Sequence, residues 1–284
     1  MLYIVLALSG LLPAAWIIWR RRDATLVVTY VVAAAFVHTA DWLASGALGL
    51  YKYHPGLFSD PTLDDATGVL LSELVFVASL AVLLVSLIPS WWGVLVGSAI
   101  ATALEYPFVA VGGLERKGWT IWLTTGSFAV YYGLIWFGWR MAARRQGPAG
   151  GWPPFTMRTA LAIMFNGMAE IVLWATQAVT WSIAIVPSQG ENQALLRFLW
   201  HAAIHVPLTY WILAARRPMQ RLRLLLATLA SVLAGQLSVM AGLRTFKAPW
   251  NPVTEGLLIS GFFTLAVLTE HWIRAWSVAR TEGA

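Results

Sequence analysis

Nine apolar stretches of helical-span length lie along the chain, over residues 2–19, 24–50, 66–88, 91–113, 119–139, 159–185, 196–215, 224–243 and 253–273. Each comes near the ~20 residues that an α-helix needs to cross a hydrocarbon core of ~30 Å. The runs are uniformly apolar. A barrel strand would instead alternate over ~10 residues, so closed helices are the way to satisfy the backbone in lipid. The pattern predicts an all-α fold, a polytopic membrane helix bundle of nine transmembrane helices. The seventh stretch is the weakest, because Arg197 shortens it. The first has no basic residue before it and is followed by Arg20, Arg21 and Arg22, the reverse of a signal peptide, and is expected to stay as a helix.

Sliding the sequence on itself adds an internal repeat. At a shift of 129 residues Asp41 falls on Glu170, Phe36 on Phe165, Ala40 on Ala169, Leu84 on Leu213 and Pro89 on Pro218. Gly113-Leu114 falls on Gly242-Leu243, and a two-residue insertion then sets Trp119 on Trp250. The Gly/Pro-rich run QGPAGGWPP lies between the halves. The expected organisation is an N-terminal helix (1–23), a four-helix repeat (24–145), a cytoplasmic linker (146–157), a second four-helix repeat (158–276) and a cytoplasmic tail (277–284). Four spans per repeat is even, so the halves would be parallel, as in transporters that hold their site between repeats.

Charge then sets orientation. Thirteen of the nineteen basic residues cluster in alternate connections, at Arg20–Arg22, at Arg140, Arg144, Arg145 and Arg158, at Arg216, Arg217, Arg221 and Arg223, and at Arg274 and Arg280. By the positive-inside rule this side is cytoplasmic, with the N-terminus outside and the C-terminus inside the plasma (inner) membrane. Charged residues make up 11% of the chain, against about 25% in soluble domains. The net charge of +6 sits in short loops, which suits lipid headgroups and gives no reason to expect nucleic acid as a partner. The absence of cysteine excludes disulfides, thiolate ligands and a thiol nucleophile. There is no Walker loop, GxSxG elbow or aspartate-rich prenyl-diphosphate motif.

Candidate chemistry rests on ionisable residues inside the spans. Each costs at least ~2.5–3.5 kcal/mol if left facing lipid, so they should face the bundle interior. His38 and Asp41 lie three residues apart and are expected to hydrogen-bond. Most of the set falls in one layer in the outer half of the membrane, with Glu170 deeper. Asp41, Glu105 (just before Pro107) and Glu170 are the candidates for proton handling or catalysis. His201 and His205, in HAAIH, share a helical face; with His38 and Glu73 they are the candidate ligands of a divalent metal. Arg116, Lys117, Arg244 and Lys247 form two basic patches above the layer. With Trp42 and Trp174 they are the candidate substrate contacts. Glu255 is expected near the outer surface, and Glu270 and His271 are expected solvated at the cytoplasmic end.

Three functions fit these residues. The leading one is a small cation- or proton-coupled carrier. The alternative is an intramembrane enzyme, acid- or metal-dependent, acting on a lipophilic substrate. The third is a non-catalytic assembly or sensor protein whose polar layer only joins helices. The expected partners are membrane lipids and a small cation or lipophilic small molecule.

Overall fold

A computed structural model describes residues 1–145, 151–181, 196–197 and 199–282. Residues 146–150 of the expected linker lie outside the described residues. Among the described residues nine helices follow in order: α1 (Leu2–Arg21), α2 (Ala24–Asp41, continued by a π turn over Trp42–Ala47), α3 (Pro61–Leu87), α4 (Trp91–Ala110), α5 (Ile121–Ala143), α6 (Pro154–Ala175), α7 (a π stretch His201–His205 leading into Val206–Leu213), α8 (Arg217–Met240) and α9 (Pro252–Glu282). Each overlaps one of the nine apolar stretches, and four short strands are described between them: β1 (Tyr51–Tyr53), β2 (Leu114–Arg116), β3 (Val179–Trp181) and β4 (Arg244–Phe246).

Several helix ends differ from the apolar runs for local reasons. α3 starts at Pro61 and not at residue 66, because Asp60 caps it by accepting from the Thr62 and Leu63 amides at 2.9 Å, and Pro61 suits the first turn. α6 starts at Pro154 and ends at Ala175, short of residue 185, since Val179–Trp181 leaves the helix to pair as a strand. α2 stops at Ala47 before Gly49, whose φ of 59° favours glycine.

Among the described residues six helices are long and apolar enough to cross a membrane: α1, α2, α3, α4, α8 and α9. The other three are less apolar or shorter. α5 is rich in Trp, Tyr and Gly, α6 carries Arg158, Asn166 and Glu170, and the described part of α7 is short. The outer faces are leucine-rich: Leu8 and Leu12 on α1, Leu225, Leu229, Leu233 and Leu237 on α8, and Leu257 and Leu268 on α9 are all exposed. Apolar surface on this scale belongs against lipid. The class defined is an all-helical, multi-pass membrane protein.

At the centre α2 packs along α6. The imidazole of His38 on α2 lies so close to Gly167 on α6 that a Cβ there would overlap the ring. α1 packs on α3 where Gly10 meets Phe76.

Each side of this contact carries the same small construction. β1 pairs antiparallel with β2 (Tyr51 with Arg116, Tyr53 with Leu114), and β3 with β4 (Val179 with Phe246, Trp181 with Arg244). The Lys117 amide donates to the Leu50 carbonyl at 2.7 Å, and the Lys247 amide to the Ala178 carbonyl at 3.1 Å. α4 and α8 end alike. Val111 donates to Pro107 and Gly113 to Phe108, while Ala241 donates to Leu237 and Leu243 to Ser238. Gly112 and Gly242 sit at φ 72° and 68° in these turns. The turns match at a shift of 130 residues, so Gly112 corresponds to Gly242, one place from the pairing that the sequence alone suggested.

Candidate functional site

A cavity of about 150 Å³ lies within the first half, walled by α1, α2, α3, α4, α5 and the β1–β2 pair. Its lining is mainly aromatic and aliphatic, with Tyr3, Phe76, Phe108, Trp119 and Tyr131 among the walls. Beside Glu105, which has an ion-pair partner, two carboxyls line it, Asp41 and Glu73, 5% and 6% exposed. Both stand at helix irregularities. Asp41 is the last residue of α2 before its π turn, and Glu73 lies inside the π stretch Leu70–Val77 of α3. An inserted residue widens the turn and re-aims side chains, which is why such bulges recur at functional sites. The Tyr30 hydroxyl, donating to the Leu74 carbonyl at 2.8 Å, satisfies one backbone group within this stretch.

The carboxyls are joined by two phenols from β1. The Tyr51 hydroxyl donates to Asp41 Oδ1 at 2.6 Å. The Tyr53 hydroxyl lies 2.6 Å from Glu73 Oε1 and 3.3 Å from Asp41 Oδ1. A phenol has one proton to give, so Tyr53 serves one carboxyl at a time and ties the two together. Burial pushes both phenols well above their usual range, and the nearby carboxyls push the same way, so the hydroxyls remain donors. β1 is itself held by Asp65, which accepts from the Tyr53 amide at 2.8 Å. Asp64 accepts from the amides of Gly56, Leu57 and Phe58 and fixes the loop that follows. Tyr51, Tyr53, Asp64 and Asp65 were not singled out in the sequence. The YKY alternation buries both tyrosines on one face, but three residues are too few to mark them in the sequence.

The other candidate residues divide into separate groups. Glu105 also lines the cavity, but Arg116 of β2 pairs with it at 2.6 Å. Arg244 is 1% exposed and forms a bidentate pair with Glu255 at 2.9 and 2.8 Å. Glu255, expected near the surface, is 2% exposed because its carboxylate is held in that pair. The buried Arg244 therefore does not form a surface headgroup patch with Lys247. Glu270, expected solvated, is 1% exposed and bound by Arg158 at 3.0 Å and Arg274 at 2.6 Å. Among the described residues, ion pairs reach Glu105, Glu115, Glu255 and Glu270, and none reaches Asp41 or Glu73.

A second, smaller cavity of about 40 Å³ lies where α2 meets α6, lined by His38, Asp41, Trp42, Glu170 and Trp174. Asp41 thus borders both cavities. His38 and Asp41 do not hydrogen-bond as expected: Asp41 is taken by the phenols, and His38 Nδ1 has no partner among the described residues. Arg197 is near enough to Glu170 to offset part of its charge. His201 and His205 face each other through their Nδ1 atoms at 2.8 Å, and Thr209 links α7 to Asn166 of α6 at 2.8 Å. Glu73 bonds across the first cavity with Tyr53. Among the described residues no three His, Asp or Glu side chains converge as metal ligands, so His38, Glu73, His201 and His205 are not brought together as one set.

What the first cavity can do follows from its charges. Two carboxyls in an apolar enclosure require a positive charge between them, either a proton or a bound cation. The aromatic walls favour a cation with an apolar body. No protein-family profile, characterised protein or solved structure matches this chain.

Proposed function

We propose that this is a nine-span inner-membrane carrier that binds a small organic cation at Asp41 and Glu73 in exchange for protons. Its architecture is an N-terminal helix followed by two parallel four-helix repeats, with the N-terminus outside. Nine helices, the paired strands and the twin turns at Gly112 and Gly242 support the repeat. The clustering of basic residues in alternate connections supports the orientation.

The observation that carries the functional reading is the pair of carboxyls, joined by phenols and without an ion-pair partner among the described residues, in an aromatic-walled cavity of about 150 Å³. That volume admits an aromatic ring of about the size of benzene, with the charged end of the ligand placed at the carboxyls that border the cavity. A cation entering between Asp41 and Glu73 takes the place of a proton. Charge balance then couples binding to proton release.

The test uses phenyltrimethylammonium and protein in unbuffered detergent solution. Binding with release of protons is expected, followed in vesicles by uptake that a pH gradient drives. Asp41→Asn and Glu73→Gln should each weaken binding about tenfold or more, since each removes a full charge from a desolvated site. No binding and no proton release in the parent protein would refute the reading.

The location of the cavity favours one second reading. It is built from the first half alone, whereas repeat carriers hold substrate between their halves. An intramembrane enzyme would use one carboxylic acid here to protonate a lipophilic substrate. Conversion of a lipid extract by purified protein, without cation flux in vesicles, selects this reading.

A further inference from the structure

We propose that the cavity takes a guanidinium-bearing ligand, an inference that rests on the cation-binding reading and narrows its chemistry. The argument comes from the second half, which fills the matching place with a guanidinium of its own.

The correspondence is set by strand register and helix position. Leu114 pairs with Tyr53, the last residue of β1, and Arg244 pairs with Trp181, the last residue of β3. Leu114 and Arg244 are therefore equivalent. Thr124 is the fourth residue of α5 and Glu255 the fourth of α9. Leu114 and Thr124 both line the cavity of the first half. At their counterparts stand the two members of a buried, bidentate ion pair.

The surroundings of Arg244 describe what such a place holds. Its guanidinium lies 4.4 Å from the ring centre of Trp200 and 5.1 Å from that of Phe246. Two of its nitrogens donate to Glu255, and its Nε donates to the Ser238 hydroxyl. Gly235 leaves room for it, since a Cβ there would approach Arg244 Nη2 to 2.9 Å. The second half thus buries a planar cation between a carboxylate and aromatic faces. The first half has Leu and Thr in place of that Arg and Glu, holds its own pair Arg116–Glu105 at another part of the wall, keeps aromatic walls, and brings carboxyls from Asp41 and Glu73. Leu114 and Thr124 border open space, whereas Arg244 and Glu255 meet each other.

A guanidinium suits this site better than a quaternary ammonium of equal size. Its N–H groups donate to carboxylates in a fixed plane, and that plane stacks on aromatic rings. A quaternary ammonium offers charge without donors.

The experiment compares phenylguanidinium with phenyltrimethylammonium, which have the same number of non-hydrogen atoms, by calorimetry on the full chain in detergent. Phenylguanidinium is expected to bind at least tenfold more tightly. The double variant Leu114→Arg with Thr124→Glu transfers the ion pair of the second half into the cavity. It should abolish binding of both ligands while circular dichroism keeps the helical signal. Phenyltrimethylammonium binding as tightly as phenylguanidinium, or better, overturns the inference and leaves the cation-binding reading in place. So does a folded double variant that still binds phenylguanidinium with the parent affinity. Failure of both cations to bind the parent protein overturns the two together. The comparison on the parent protein needs no variant and decides the matter if the double variant does not fold.

Discussion

At the scale of single residues, the site depends on hydroxyls as much as on acids. Asp41 and Glu73 are buried without an ion pair among the described residues, and their hydrogen bonds come from Tyr51 and Tyr53. Removing a donor from a buried carboxyl leaves it under-satisfied at a cost of about 1–3 kcal/mol, more if it is charged. Tyr53→Phe should therefore lower the unfolding temperature in detergent, and a bound cation should restore part of the loss. An unchanged unfolding temperature would mean that the bridge contributes nothing. The two phenols also set a pH dependence. Their native values are raised, so their contribution is fully present below the ordinary phenol value of about 10 and is lost as pH rises from there toward the raised values. Stability of the parent protein should fall more steeply above pH ~10 than that of Tyr51→Phe with Tyr53→Phe. Parallel curves would show that the phenols titrate normally.

At the scale of elements, the contact between α3 and β1 positions the carboxyl pair. Gly68 on α3 packs against Tyr53, and a Cβ at Gly68 would overlap the tyrosine Cβ, while Pro55 closes the other side at 3.3 Å. Gly68→Ala must push β1 away from α3 and separate Tyr53 from Glu73. Cation affinity should drop about tenfold, although alanine is the better helix former by ~1 kcal/mol. Gly261→Ala on α9 is the control, since its Cβ would meet nothing within 4 Å; there binding should be unchanged. Equal affinity in the two variants would separate Tyr53 from the site. These elements also show what a sequence reader can reach. Long apolar runs located all nine helices, and Asp41, Glu73 and Glu105 were legible because charge is rare in such runs. The strands were not legible: three residues, as in Tyr51–Tyr53, are too few for a period-two pattern to show. The π stretches were hidden too, because an extra residue in a turn leaves no mark on composition. Pairing was the deepest omission. Nothing in the spacing told that Arg116 would reach Glu105, that Arg244 would reach Glu255, or that Arg158 would reach Glu270; only Arg274, four residues after Glu270 on one helix, stands at a pairing distance that can be read from sequence.

At the scale of the whole molecule, two similar halves divide the work unequally. The first encloses the cavity, and the second is closed by Arg244 and Glu255. Deleting one partner of a buried pair strands the other charge and costs about 3–5 kcal/mol, whereas replacing both by apolar groups is often nearly neutral. Glu255→Gln should therefore destabilise far more than Arg244→Leu with Glu255→Thr, which installs the residues of the first half. Neither should change cation affinity at Asp41 and Glu73, because the pair stands in the other half. The proposed parallel arrangement of the halves makes one more demand. If four spans separate equivalent loops, Lys117 and Lys247, which each follow a β2-type strand, must reach the same side of the membrane, and Arg145 and Arg221 the opposite side. The chain has no cysteine, so single replacements report without background. In intact cells Lys117→Cys and Lys247→Cys should both react with a membrane-impermeant thiol reagent, and Arg145→Cys and Arg221→Cys should react only after the membrane is opened. Labelling of Lys117→Cys and Lys247→Cys from opposite sides would require an odd number of spans between them. That would turn the second half over relative to the first, and the correspondence of Leu114 with Arg244 would then be a likeness of local structure without a shared place in the membrane.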